Sequence, residues 1–264
     1  MLIDSHCHFD FEPFCDDPEY YLGLSQQAGV GKIVIPAIGQ RNWHAVRGLA
    51  KRFPSLYFAL GLHPFFSAEH DANALNQLES ELATEAALRE KDHSRCVAVG
   101  ECGLDFAIAD ADQEQQVSVL AAQLQLANRF ELPVIMHCRK AFPELLRELR
   151  QNTPIAGGVY HGFSGSYQQA KQLIDLGIKI GVGGTITYRR ANKTRSTIAA
   201  LPLDALLLET DAPDMPVAGF QGEPNRPDRL VNVLDELSAI RTETEQEIKQ
   251  ATSLTTAELF RIRM

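Results

Sequence analysis

Short apolar segments recur along the whole chain, and most are separated by stretches in which apolar residues return every three or four positions. The short segments are rich in β-branched residues and nearly continuous in apolar character, a pattern typical of parallel strands buried on both faces. We predict eight strands, over residues 2–8, 32–38, 56–63, 96–104, 133–139, 157–163, 179–185 and 205–211.

The stretches between the strands predict helices. The clearest runs from residue 112 to residue 130, where Val117, Leu120 and Leu124 form one apolar stripe at helical spacing. Further helices are predicted over residues 73–91, 143–150, 167–176 and 227–240, and a last one over residues 242–260.

Strands and helices that alternate in this way predict an α/β fold, a (β/α)8 TIM barrel with an additional C-terminal helix at residues 242–260. An open, doubly wound sheet has the same alternation and remains the alternative. The 264 residues fit one barrel domain over residues 1–264, because barrels of about 250 residues are common. The stretch 219–227 contains glycine and proline and fits a long loop after the eighth strand rather than a linker between domains.

Composition and charge limit the classes of protein to which this chain can belong. With 45% hydrophobic and 22% charged residues, it has the composition of an ordinary globular protein. A formal net charge of −9 argues against a general nucleic-acid coat protein, which carries a basic face, although it allows a local basic patch.

The expected location is the cytoplasm. The chain opens without a signal-peptide pattern, and it has no run of about 20 apolar residues that could cross a membrane. Its five cysteines are odd in number and form no Cys-x-x-Cys pair, which favours a reducing compartment over a disulfide framework. We therefore predict a cytoplasmic protein with no membrane partner and no obligate protein partner.

Ligand-type side chains fall at the ends of the predicted strands. In a barrel, the carboxyl ends of the strands meet around one pocket, where active sites lie. Imidazole and carboxylate groups together suit divalent ions such as zinc or manganese, and several of them can hold two ions that share a bridging ligand. The candidates are His6, His8, His63, Glu101, His137, His161 and Asp211.

Strand alternation separates these candidates from the cysteines beside them. Residues two apart point the same way, so His6 and His8 can bind one ion from a single strand while Cys7 faces away. The same argument turns Cys102 and Cys138 away from the site. We interpret these thiols as small apolar residues rather than as ligands.

Short motifs along the chain resemble, in one order, those of TatD-type metal-dependent deoxyribonucleases, a family within the amidohydrolase superfamily. The resemblance extends from about residue 3 to residue 227, which is nearly the full chain. The motifs are IDSHCH at residues 3–8, GLHP at 61–64, GECGLD at 100–105, HCR at 137–139, HGFSG at 161–165 and ETDAP at 209–213.

The resemblance implies a role for most of the candidates. His6 and His8 would bind a first divalent ion. Asp211 would bind the same ion and accept the proton of the attacking water. Glu101 would bridge to a second ion, and it occupies a position at which many superfamily relatives have a carboxylated lysine.

The second ion would be held by His137 and His161, and the expected ions are zinc, magnesium or manganese. The activity implied by the resemblance is phosphodiester hydrolysis of the 3′–5′ exonuclease type, a deoxyribonuclease acting on single-stranded DNA or DNA 3′ ends. The residues that follow the last motif, DMP at 214–216 and NRP at 225–227, depart from the common family pattern. The ligands are untouched by this departure, whereas the loops that contact substrate are expected to differ.

Further residues are candidates for substrate contact. His63 and Arg139 are expected to point into the pocket and to hold a phosphate, although a salt bridge with Asp105 is an alternative role for Arg139. The segment 188–195 follows the seventh strand, where phosphate sites of barrels often form. Its Arg189, Lys193 and Arg195 either contact a nucleic-acid backbone or line a solvated helix face.

Two other functions remain open at this point. An amide, lactone or ester hydrolase acting on a small metabolite or an aminoacyl ester would use the same ions, because an activated water attacks carbonyl carbon as well as phosphorus. A non-enzymatic metal-binding protein would show a closed coordination sphere, whereas a catalytic site keeps a position for water.

Overall fold

The structure is a computed structural model that describes residues 1–70 and 72–264. Its strands are β1 (Leu2–Asp4), β2 (Val30–Pro36), β3 (Leu56–Leu60), β4 (Cys96–Asp105), β5 (Val134–Arg139), β6 (Gly158–Tyr160), β7 (Ile178–Val182) and β8 (Leu206–Leu208). Its α-helices are α1 (Pro18–Gln27), α2 (Trp43–Arg52), α3 (Ala74–Arg89), α4 (Gln113–Arg129), α5 (Phe142–Gln151), α6 (Tyr167–Ile174), α7 (Asn192–Ala200), α8 (Leu230–Ile240) and α9 (Glu245–Leu259). Short 3-10 helices lie at Pro64–Glu69, Gly184–Thr187, Leu203–Ala205 and Pro227–Arg229.

All eight strands belong to one parallel sheet, in which each strand neighbours the next in chain order. Backbone hydrogen bonds also join the segment after β1 to β8 and the residues that follow it. Ser5 N donates to Leu208 O at 3.0 Å, and Asp211 N donates to His6 O at 2.8 Å. The first and last strands are therefore neighbours, and the sheet closes into a (β/α)8 barrel rather than the open, doubly wound alternative.

The chain divides into two compact units. The terminal unit comprises residues 1–35 and 161–264, and the central unit comprises residues 36–160. In the terminal unit, α9 packs on β1 and β8, so the predicted additional C-terminal helix is present and covers these two strands. In the central unit, α4 packs on β4 and α5 packs on β5.

The predicted and observed strands agree in number and order and differ at their ends. β1, β3, β6, β7 and β8 each end three or four residues before the predicted end. Beyond these points the chain leaves the hydrogen-bonded ladder, and 3-10 turns follow β3 and β7. Most of the ligand-type residues therefore lie just past the strands, on segments that the barrel holds at its carboxyl edge.

Three helices, α1, α2 and α7, were not predicted individually. The first begins with Pro18, which suits the first position of a helix, and is capped by Asp17, whose carboxylate accepts from Tyr20 N at 3.1 Å. Every helix in the described residues is too short or too polar to span a bilayer.

Candidate metal centre

His6 and His8 lie in the extended segment that follows β1, in the terminal unit. Sheet-like backbone bonds hold this segment: Cys7 N donates to Val34 O at 3.1 Å, and His8 N donates to Ala212 O at 2.8 Å. Both imidazoles are buried, with 0% and 8% of their surface exposed. The barrel backbone thus fixes the position of the two rings.

The carboxylate of Asp211 faces both histidines. Its Oδ1 lies 3.4 Å from His6 Nε2 and 3.7 Å from His8 Nε2. The backbone of Asp211 is in the left-handed region, with φ of 55°, a conformation that aspartate adopts more readily than most residues. The structure therefore brings together the three side chains predicted for the first ion.

His161 follows β6 directly, and its ring stacks on that of His6 with centroids 4.0 Å apart. Ligand atoms of His6, His161 and Asp211 all lie within 4.8 Å of one another. The resemblance assigns His161 to the second ion, whereas the geometry places it beside residues assigned to the first. Its assignment to either ion stays a prediction.

Two buried carboxylates support this group, and the first is Asp4. It accepts hydrogen bonds from Thr210 Oγ1 at 2.6 Å, from Thr210 N at 3.0 Å and from His6 N at 3.2 Å. Burial raises the pKa of Asp4 to about 7, against the opposing effect of these hydrogen bonds. Asp4 thus ties the segment that carries His6 to the segment that precedes Asp211.

The second carboxylate is Glu209, which is fully buried. Its Oε1 accepts from Gly162 N at 2.5 Å and lies 3.9 Å from His161 Nδ1. Its Oε2 has no hydrogen-bond partner among the described residues, and burial raises the pKa of Glu209 to about 8. A Cβ added at Gly181 would lie 2.3 Å from this oxygen, so a glycine is needed there to admit the carboxylate.

A second group of ligand-type residues lies in the central unit. Glu101 is in the middle of β4, His137 is in β5, and His63 follows β3. Glu101 Oε1 lies 3.1 Å from His63 Nε2 and 3.4 Å from His137 Nδ1. The two imidazole centroids are 4.5 Å apart. His63, predicted to contact substrate, thus lies as close to Glu101 as His137 does.

Asp105, at the end of β4, orients His137. Its Oδ2 lies 3.1 Å from His137 Nε2, on the opposite side of the ring from Glu101. Burial acts to raise the pKa of Asp105, but the hydrogen bonds with His137 and Ala107 N outweigh it, so the pKa lies below its usual value. An imidazole held in this way by a carboxylate has one defined nitrogen left for a metal ion.

Arg139 lies at the end of β5, beside this pair. Its Nη1 is 3.6 Å from Asp105 Oδ2, so the salt bridge considered from the sequence is present. The side chain is nevertheless 61% exposed. A pair at this distance whose cation lies largely in solvent is held weakly.

The basic segment 188–195 runs from the turn after β7 into α7. Arg189 and Lys193 are exposed there. Arg195 differs, because its guanidinium donates to Ile186 O and to Glu236 Oε2, the latter at 2.8 Å. Of the five residues predicted to contact substrate, three lie in this segment, and Arg195 is bonded within the protein whereas Arg189 and Lys193 are exposed.

All five cysteines are free thiols. Cys7 and Cys102 are completely buried, and Cys102 Sγ lies 3.5 Å from Ile135 O. Burial raises the pKa values of the Cys7 and Cys102 thiols well above the usual value for cysteine. It also raises the pKa of Cys138, to about 11. Neutral thiols are poor metal ligands, which agrees with their interpretation as small packing residues.

The donor set fits divalent metal ions. Each unit contributes two imidazoles and one carboxylate with ligand atoms within 4.8 Å of one another: His6, His161 and Asp211 in one, His63, Glu101 and His137 in the other. Mixed nitrogen and oxygen donors suit zinc, manganese or cobalt, whereas calcium takes oxygen ligands alone.

Three residues of the site were not among the predicted ones: Asp4, Asp105 and Glu209. Asp4 and Glu209 each precede a ligand-type residue by two positions. The alternation that relates His6 to His8 applies to them as well and could have found them. The sequence indicates Asp105 only as a partner of Arg139, whereas its contact with His137 follows from the pairing of β4 with β5.

A family model described as TatD related DNase matches residues 3–261 of this chain. This chain belongs to the TatD family. TatD-family relatives match it over nearly their full length. The uncharacterized metal-dependent hydrolase YjjV of Escherichia coli K12 is 49% identical over 261 residues, which is 99% of this chain and 98% of YjjV. The crystal structure of YjjV superposes with a TM-score of 0.94 over 99% of this chain and 98% of that one.

Two further relatives match the chain over nearly its full length. An uncharacterized metal-dependent hydrolase of Haemophilus influenzae is 44% identical over 266 residues, covering 98% of this chain and 99% of the relative. The 3'-5' ssDNA/RNA exonuclease TatD of Edwardsiella piscicida is 33% identical over 270 residues, covering 99% of this chain and 100% of the relative. As a TatD-family barrel with these donor groups, the chain is a metal-dependent hydrolase.

Proposed function

We propose that this chain is a nuclease that removes nucleotides from the 3′ end of single-stranded DNA with the help of two divalent ions. The observation that carries the proposal is the presence of two buried histidine–carboxylate groups in a TatD-family barrel. The Edwardsiella relative is named as a 3'-5' ssDNA/RNA exonuclease. That name supports both hydrolysis of a phosphodiester bond and removal of nucleotides in the 3′-to-5′ direction.

The proposed ligands lie within or just after the parallel strands. The carboxyl ends of barrel strands surround one pocket, and this supports a shared centre. His6, His8 and Asp211 would hold a first ion, His137 and His161 would hold a second, and Glu101 would be shared between the two. When bound, the ions lower the pKa of a water molecule and neutralise charge on the phosphoryl oxygens.

Asp211 accepts the proton of the attacking water. Its carboxylate is positioned for this role by the bond from its own backbone N–H to His6 O at 2.8 Å and by its closeness to His6 and His8. The water oxygen forms a bond to phosphorus while the bond from phosphorus to the 3′ oxygen of the preceding nucleotide breaks. That oxygen takes up a proton, and the terminal nucleotide is released with the phosphate. His63 and Arg139 hold the scissile phosphate, and the exposed Arg189 and Lys193 contact the backbone further along the strand.

The test is digestion of single-stranded oligonucleotides labelled at either end, after chelation and after restoring magnesium, manganese or zinc. We expect no cleavage without metal. With metal, the 5′-labelled strand should give a ladder of shorter products, and the 3′ label should leave in the first nucleotide. If oligonucleotides stay intact under all conditions while lactones or small amides are hydrolysed, the nuclease proposal is wrong. The alternative, a metal-dependent amide, lactone or ester hydrolase, would then take its place.

Variants distinguish the proposed chemistry from a contaminating nuclease. We expect Asp211→Asn and Glu101→Ala to lose at least about a hundredfold in kcat, because proton transfer and metal binding are both affected. The matched control is Asp175→Asn, which removes an exposed carboxylate that directly follows α6 and pairs with Lys171 at 2.9 Å. It should retain wild-type turnover.

A further inference from the structure

The terminal unit contains an open groove between the turn that follows β7 and the loop that follows β8. Its volume is about 270 Å³, close to the lower limit of about 300 Å³ for ligand pockets. Residues from the turn after β7 form one wall and residues from the loop after β8 form the other. The lining comprises Thr185, Tyr188, Arg190, Ala191, Met215 and Pro216.

Hydrogen bonds between the two loops hold the groove in shape. Tyr188 Oη donates to Pro216 O at 2.6 Å, and Ala218 N donates to Thr187 Oγ1 at 2.8 Å. The loops also approach closely at Gly184, where a Cβ would lie 2.6 Å from Met215 O. Such a groove needs little rearrangement before it binds a ligand.

The loop after β8 connects the groove to the metal centre. Met215 is four positions beyond Asp211, and Asn225 Nδ2 donates both to Thr210 O at 2.9 Å and to Met215 O at 3.2 Å. One side chain thus fixes the residue before Asp211 and a residue of the groove wall. One wall of the groove therefore belongs to the same loop as the proposed ligand Asp211.

The walls of the groove combine flat, apolar surface with one cation. The guanidinium carbon of Arg190 lies 5.2 Å from the ring centroid of Tyr188, and the Arg190 side chain is exposed. Met215 and Pro216 line the facing wall. In a chain of net charge −9, an exposed arginine over an aromatic ring is complementary to a planar ligand that carries negative charge.

We propose that this groove binds the nucleotide on the 5′ side of the scissile phosphate, which is the neighbour of the 3′-terminal nucleotide. Its base would lie between Tyr188 and Met215, and its own 5′ phosphate would contact Arg190. The inference rests on the proposed nuclease function and adds a base-binding site to it. Contacts with a base face and a phosphate do not depend on the base-pairing edge, so the groove accepts any nucleotide and selects single strands.

The test compares an intact oligonucleotide, the same oligonucleotide with an abasic residue next to the 3′ nucleotide, and p-nitrophenyl methyl phosphate, a phosphodiester without a base. We expect Arg190→Gln and Met215→Ala to raise KM for the intact strand at least about fivefold. Turnover of p-nitrophenyl methyl phosphate should stay within twofold, which also shows that the variants are folded. The KM of the wild-type chain for the abasic strand should be as high as the KM of Met215→Ala for the intact strand.

The control for charge is Arg150→Gln, which removes an exposed arginine of α5 and should leave KM for the intact strand unchanged. If the groove variants keep the wild-type KM, or if the abasic strand binds as tightly as the intact one, the inference is overturned while the nuclease stands. If the wild-type chain cleaves neither the strands nor the small diester, the proposed function fails and the inference with it.

Discussion

Asp105 has two partners with different expected functions. It accepts a hydrogen bond from the ring of His137, a proposed metal ligand, and it pairs with the exposed guanidinium of Arg139, a proposed substrate contact. The first contact is 3.1 Å long with His137 15% exposed, whereas the second is 3.6 Å long with the Arg139 side chain 61% exposed. Separate mutations can therefore distinguish the role of Asp105 toward His137 from its role toward Arg139.

We expect Asp105→Asn to weaken metal binding by about 10- to 100-fold, the usual effect of removing a carboxylate behind a histidine ligand. The measurement is competition with a chromophoric chelator, which does not depend on turnover. Arg139→Met is the matched variant. It should keep the metal affinity within twofold and raise KM for an oligonucleotide, and equal metal affinity in wild type and Asp105→Asn would contradict the positioning role.

The strands could be predicted in number and order, whereas their ends could not. Residues 2–8 are all buried, although β1 ends at Asp4. The pattern of apolar residues indicates which residues are buried, but it does not indicate which ones are hydrogen-bonded to a neighbouring strand. It therefore does not show at which residue a strand ends. α1, α2 and α7 are absent from the predicted helices, and α7 begins at Asn192, inside the basic segment 188–195.

The central unit depends on a close approach between strands β4 and β5. Gly103 in β4 has φ of 140°, and a Cβ there would lie 1.9 Å from His137 O in β5. Because the obstacle is backbone, Gly103→Ala must push apart the two strands that carry Glu101 and His137. We expect it to lower the free energy of unfolding by about 3 kcal/mol, measured by urea denaturation.

Gly48→Ala in α2 is the control for this change, since nothing lies within 4 Å of the added methyl group. Alanine is the better helix former, and it should raise the free energy of unfolding by about 0.5–1 kcal/mol. Equal effects of the two substitutions would show that the approach of β4 to β5 is not tight.

A capping box begins α6, the helix that follows the loop carrying His161. Ser166 Oγ accepts from Gln169 N at 3.3 Å, and Gln169 Oε1 accepts from Ser166 N at 2.8 Å. We expect Ser166→Ala to cost about 1 kcal/mol of unfolding free energy, because it leaves a helix N–H without its acceptor. Ser164→Ala, at an exposed position of the same loop, should stay within about 0.5 kcal/mol of wild type in the same measurement.

Metal binding and folding are linked through the whole chain. The proposed ligands extend from His6 to Asp211, so bound ions stabilise the folded state over segments distant in sequence. A metal at about 100 times its Kd contributes roughly 2.7 kcal/mol. For a protein of this size we expect a rise in Tm of about 5–10 °C on adding zinc or manganese to chelated protein.

Glu101→Ala provides the comparison for this measurement, followed by calorimetry or circular dichroism. The variant should lose most of the metal-dependent rise in Tm. The same rise in wild type and variant would mean that the ions bind elsewhere and that Glu101 is not a ligand.

The sequence by itself determined the alternation of eight strands with helices, the resemblance to the family and the kinds of side chain at the site, because strand and helix periods and ligand-bearing motifs are local properties of the chain. The closure of the sheet into a barrel was decided by backbone hydrogen bonds between the first and last strands, which join residues about 200 positions apart. Tertiary structure alone decided which side chains become neighbours. It placed His161 on His6, His63 on Glu101, and the guanidinium of Arg195 on Glu236. It also built the groove from Tyr188 and Met215, which are far apart in the chain. These distances depend on the paths of loops and on rotamers set by packing, and residue spacing along the sequence does not encode them.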